Sequence, residues 1–151
     1  MKRIVPLAMF MAASALLASD PNLGTWKLNM AQSKFSPGPA PQSVTTTYTE
    51  DGGWVVSKSE GLGSDGKPFK VENRLKTDGN EYPYLSPWGK GTILIQQADP
   101  YHWTSVVKLD SGHTLTSKGV ISQEGRTRTV TTTGTNAKGE KVNSVTVSDR
   151  Q

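Results

Sequence analysis

From Ser43 onward, apolar and polar residues alternate in short runs rich in threonine and valine. Turns centred on glycine cut these runs at near-regular spacing: Asp51-Gly52-Gly53, Asp65-Gly66, Asp78-Gly79, Ser111-Gly112, Glu124-Gly125 and Lys138-Gly139. A period of two bounded by such turns predicts β-strands joined as hairpins. Strands are expected over 43–50, 54–60, 68–76, 80–85, 92–98, 102–109, 113–122, 126–134 and 140–149. Ahead of them, 24–29 reads as a first strand with Trp26 and Leu28 on one face and Thr25 and Lys27 on the other. No stretch keeps apolar residues at three-to-four spacing for three turns, so helix is limited to a single turn at 21–24 or 30–34.

A meander of this length must hide two edges, and curling shut removes both. The expected fold is therefore all-β: an antiparallel up-and-down meander closed into a barrel of about eight to ten strands, with any small ligand inside it. Between the first two strands, Lys34-Phe35-Ser36-Pro37-Gly38-Pro39-Ala40-Pro41 lacks the backbone donors of a sheet interior. It predicts an extended strap, either a plain connector or a lid over the barrel mouth.

Strand faces give a first view of the interior. Phe69, Val71, Asn73 and Leu75 oppose Lys70, Glu72 and Arg74; Trp103, Ser105, Val107 and Leu109 oppose His102, Thr104 and Lys108. The uncharged sets are expected inward. An interior mixing Ser105, Ser117 and Asn73 with Trp103, Phe69 and Leu115 is more polar than a solid core needs and suits a cavity. Tyr48, Phe69, Val71, Trp103, Ser105, Leu115 and Arg128 are the expected ligand-binding residues.

Composition bears on compartment. Residues 1–19 carry Lys2 and Arg3, an apolar stretch from Ile4 to Leu17, then Ala18 and Ser19, the pattern of a secretory signal peptide. One domain, 20–151, should remain, exported to the periplasm or secreted. Loss of Lys2 and Arg3 leaves 15 Lys and Arg against 13 Asp and Glu, so the net charge falls from +4 to +2 and no nucleic-acid surface is indicated. No second apolar run follows, so no integral membrane segment is expected after signal removal. With no cysteine the chain has neither disulfides nor thiolate chemistry, and relies on its core and sheet closure. Oligomeric state is left open.

Few residues carry candidate chemistry. Arg126, Arg128 and Val130 share one strand face. If Val130 points inward, Arg128 does too and would hold an acidic ligand; the other register sends both arginines into solvent. The segment from Glu81 to Gly91 contains Tyr82, Tyr84 and Trp88 among prolines that break the strand. Those rings either form a portal or stacking loop at the surface, which Tyr48 and Trp54 could extend, or plug one barrel end. His102 and His113 lack the cysteines or spaced carboxylates of a zinc site and read as surface residues. No phosphate-cradling glycine loop or nucleophile elbow appears, so no metal and no cofactor are expected.

The strand Gly24-Thr25-Trp26-Lys27-Leu28, followed by this meander, resembles the calycin superfamily: lipocalins, fatty-acid-binding proteins and bacterial lipocalin-like relatives. The resemblance implies that Trp26 closes the barrel floor. The Lys34–Pro41 segment and Gly134-Thr135-Asn136-Ala137-Lys138-Gly139 look like small exported bacterial proteins of unassigned function. Fatty-acid-binding proteins have a helical pair where this chain has its proline strap. They also often offer an Arg-x-Tyr pair where the last strand here reads Val142-Asn143-Ser144-Val145-Thr146-Val147-Ser148. The expected function is non-enzymatic binding of a small apolar or amphipathic ligand. The alternatives are a surface module that binds polysaccharide or a partner protein through the aromatic loop, and a barrel enzyme using Arg128 with Glu60, Glu72 or Asp149.

Overall fold

The computed structural model describes residues 19–151. The predicted signal peptide, Ser19 apart, lies outside the described residues. Ten strands follow one another: β1 Gly24–Leu28, β2 Ser43–Asp51, β3 Trp54–Leu62, β4 Pro68–Leu75, β5 Asp78–Ser86, β6 Gly89–Asp99, β7 His102–Leu109, β8 Thr114–Ile121, β9 Thr127–Thr135 and β10 Lys141–Arg150. All ladders are antiparallel, in the order β4-β3-β2-β1-β10-β9-β8-β7-β6-β5. No helix long and apolar enough to cross a membrane occurs among the described residues.

The sheet's two end strands, β4 and β5, share no ladder. They nevertheless lie side by side, because the Asn73 side chain of β4 pairs with the backbone of β5: its Nδ2 donates to Leu85 O at 3.1 Å and its Oδ1 accepts from Leu85 N at 2.9 Å. An amide side chain thus substitutes for one peptide unit of the missing ladder and brings the sheet round into a barrel. The same contact shows which way β5 faces. Leu85 N and O point at β4, so by the period of two the nitrogen of Pro83 does as well, and its missing donor falls where no ladder needs one. The prolines therefore do not break this strand, contrary to the sequence expectation. β5 runs through Pro83, and only Pro87 and Trp88 separate it from β6.

The strap is part of the wall. β1 pairs with β10 only over Trp26–Leu28 against Arg150–Ser148. Beyond Leu28 the chain bulges outward and returns to the same edge: Asn29 N donates to Val147 O, Lys34 bridges Val145, and Asn143 N donates to Ser36 O. Ser33 Oγ accepts from Val147 N at 2.9 Å and secures the bulge. The proline segment then crosses to β2.

Residues opposite one another in an antiparallel ladder share a face, so the register assigns the interior. Trp26, Thr46, Ser59 and Val71 form one inward row; Val44, Gly61 and Phe69 form the next. On the other side Trp103, Gly119 and Val130 are aligned, as are Ser105, Ser117, Thr132 and Ser144. Leu75, Ile93, Val107, Leu109, Leu115 and Val142 form the packed core, with Tyr82, Tyr84, Trp88 and Ile95 against it.

Candidate ligand-binding site

The interior has two parts. Around Leu115, 1% exposed, side chains pack to exclusion. Tyr48, Phe69, Val71, Trp103, Arg128 and Val130 also face inward by register, yet stay half-buried and form the more open part of the interior. Two expected lining residues move out of this open part. Leu115 belongs to the packed core, and Asn73, inward by parity, spends its amide on the β4/β5 seam.

Arg128 sits in the open part, so the inward register holds. Its guanidinium lies 5.0 Å from the centroid of the Tyr48 ring and 4.7 Å from that of Trp103, a cation held over two aromatic faces. Its Nε donates to Asn22 Oδ1 at 3.0 Å. Its two outer nitrogens have no hydrogen-bond partner among the described residues, and no carboxylate lies within salt-bridge distance of it. No fully buried polar side-chain atom among those residues is left unpaired, so these nitrogens keep some accessible surface. Tyr84 stands close by. Burial first, and neighbouring Tyr48 second, push its phenol up to about 12, with Arg128 pulling the other way. At neutral pH Tyr84 is therefore an uncharged donor.

The position of Trp103 depends on a neighbour that sequence reading did not single out. A methyl group at Gly119, directly opposite on β8, would stand 1.9 Å from two of its ring carbons. Only glycine there lets the indole lie flat across β8 toward Arg128. Asn22 was also missed, since it precedes the first strand and carries no local signal.

A second arginine stack closes the end of the barrel beside the first, and the two share Asn22. Trp26, 2% exposed, donates its indole N–H to Asn22 O at 2.9 Å, and Arg150 lies 4.3 Å above its ring. Arg150 Nη1 donates to Leu23 O at 2.7 Å, while Nε and Nη2 donate to Gly125 O and Pro21 O. Gly24, at φ +117°, leaves room for this, since a methyl there would meet Arg150 Nη1 at 2.5 Å. The glycine and tryptophan of the Gly-x-Trp motif thus serve one contact, whose cationic member the sequence did not reveal.

The remaining candidates are elsewhere. Tyr82 and Tyr84 are on β5 and Trp88 is in the following turn, all turned against the core; they form no exposed stacking surface. Trp54 has Arg74 and Lys76 over its ring and Tyr82 at its edge, so its faces too are occupied. Glu60 pairs with Lys70 and Glu72 with Lys58 on the outer face, and Asp149 accepts from Asn29. None of the three carboxylates joins Arg128, which removes the acid-base set imagined for an enzyme. His102 is held by Asp99 and His113 by Ser111 at the surface. No cluster of His, Cys, Asp or Glu able to hold a metal occurs among the described residues.

No protein-family model matches this chain, and no curated protein does. Solved structures do share its fold. A Schistosoma mansoni fatty acid binding protein in complex with arachidonic acid superimposes with a TM-score of 0.62 at 15% identity, covering 87% of this chain and 96% of that one. A secretory abundant heat soluble protein of Ramazzottius varieornatus gives 0.59 at 7% identity with the same coverage. A protein of unknown function from the DUF3598 family of Nostoc punctiforme gives 0.50 at 15% identity, over 87% of this chain and 48% of that one. At such identities the likeness concerns the fold alone, an antiparallel barrel like that of the fatty acid binding protein.

Proposed function

We propose that this protein is a non-enzymatic carrier, exported to the periplasm or secreted, which holds a small amphipathic molecule in its lumen with an acidic group at Arg128. The supporting observation is the guanidinium itself: fixed by Asn22 and two rings, it keeps two donor nitrogens without a hydrogen-bond partner among the described residues. A cation in a part-desolvated site is stabilised most by an anion that accepts its remaining hydrogen bonds. Tyr84 adds an uncharged donor to the same anion. Phe69, Val71 and Val44 supply apolar surface for the rest of the molecule, at about 25 cal/mol per Å² removed from water. The arachidonic acid bound by the Schistosoma mansoni barrel is an acid of this general kind.

Titrating the purified protein with a long-chain carboxylic acid while following tryptophan emission tests the reading, since Trp103 lies against the anchor. Saturable binding should appear, and Arg128→Met should weaken it about 10- to 100-fold, the worth of a charge-assisted hydrogen bond. Equal affinity in the two proteins would remove Arg128 as anchor. Export is tested separately by the mass of the protein recovered outside the cytoplasm, which should begin at Ser19 or Asp20.

A further inference from the structure

Beyond Arg128 the lumen wall changes character. On β9 the inward residues run Arg128, Val130, Thr132, so a second polar level stands about 13 Å along the strand from the Arg128 backbone. There Ser105 of β7, Ser117 of β8, Thr132 of β9 and Ser144 of β10 form one row across four neighbouring strands. Below it lies the packed core of Val107, Leu115 and Val142.

The row is only partly satisfied from within the protein. Ser144 is spent on the strap, accepting from Ser36 N at 3.0 Å and donating to Ser36 O. Ser117 and Thr132 bond each other at 2.8 Å, which uses one of their two O–H donors. Ser105, 6% exposed, has no side-chain hydrogen bond to any described residue, yet no fully buried polar atom is orphaned, so its inward-facing hydroxyl is unpaired and keeps a small accessible surface. A hydrocarbon chain lying over these groups would strip their water and return nothing, at a cost of about 1–3 kcal/mol for each hydroxyl left unpaired.

From this we infer that the lumen is built for an acid with a second oxygen function, a hydroxylated acyl chain, and that Ser105 with the Ser117–Thr132 pair receives its hydroxyl. The inference rests on the carrier reading and narrows the ligand class. Arg128 receives the carboxylate, Val130 and Trp103 line the stretch between, and the hydroxyl row receives the second polar group. Nothing in the packed core beyond the row would accept one.

The experiment compares a saturated straight-chain acid with the same acid carrying one mid-chain hydroxyl, by calorimetric titration of the wild-type protein, Ser105→Ala, and Ser105→Ala combined with Thr132→Val. The hydroxylated acid should bind wild type roughly 3- to 10-fold tighter, the worth of one hydrogen bond. The ratio should fall to near one in the double variant, whose circular dichroism spectrum and urea unfolding midpoint show that it is folded. Equal binding of the two acids to wild type, or a preference that survives both substitutions, overturns the inference while leaving the carrier intact. Failure of both acids to bind wild type overturns the carrier reading as well.

Discussion

The closed end and the lumen of this barrel are built from the same parts and finished differently. In each, an arginine from one of the last two strands lies over a tryptophan: Arg150 on Trp26 and Arg128 on Trp103. In each, a glycine makes the approach possible, Gly24 in one and Gly119 in the other. Asn22 serves both, giving its backbone carbonyl to Trp26 and its side-chain oxygen to Arg128. The difference is saturation. Arg150 donates from all three nitrogens to the carbonyls of Pro21, Leu23 and Gly125, whereas Arg128 donates to the protein only through Nε. A cation whose donors are all used by backbone fastens structure; one held firmly with donors to spare is prepared for something that arrives later.

That contrast can be broken at either stack. Arg150→Met leaves three carbonyls without their donor and frees the segment before β1, so urea unfolding should show a loss of about 4 kcal/mol, with a smaller loss of acid affinity because that segment carries Asn22, the partner of Arg128 Nε. A loss below about 1 kcal/mol would mean that the closed end is not fastened by this arginine. Gly119→Ala drives a methyl into the Trp103 ring, and overpacking of this kind should cost about 3 kcal/mol. Here acid binding should weaken more than at Arg150, because the displaced indole lies directly against Arg128.

The smallest effect sharpens the comparison by pH. Tyr84 keeps its proton to about 12 in the folded protein, against an ordinary value of 10.0 once unfolded. The unfolded chain therefore holds fewer protons between these values, and stability falls as pH rises through them. Tyr84 should contribute roughly 2 kcal/mol to that alkaline loss, so unfolding midpoints of wild type and Tyr84→Phe should converge or cross between pH 9 and pH 12. Parallel alkaline curves for the two proteins would show Tyr84 to be better hydrated than its place beside the core implies.

Much of the architecture was legible because glycine turns fix hairpin ends, and the expected strands lie within a few residues of those observed. The proline segment misled because the sequence does not say that β5 has no ladder on one side, and there a missing N–H costs nothing. The face of Arg128 could not be chosen from its own strand, where threonines occupy both sides of Val130. On β10, Val147 is buried on the outer face beside the strap, so apolar residues no longer mark the inside. By contrast, the outward direction of Glu72 was readable from the charged set Lys70, Glu72 and Arg74, and with it the failure of that carboxylate as a partner for Arg128. The role of Arg150 left no local trace, since it depends on carbonyls more than a hundred residues away in Pro21 and Leu23.

A ring joined by ladders at every junction but one has a preferred place to part. Between β4 and β5 the Asn73 amide is the fastening, and it binds both polar groups of Leu85. The exchange rate of the Leu85 amide proton is then a gauge of how often the wall breathes. Slower exchange after a ligand is added would register occupancy from outside the lumen, with no probe attached to either partner.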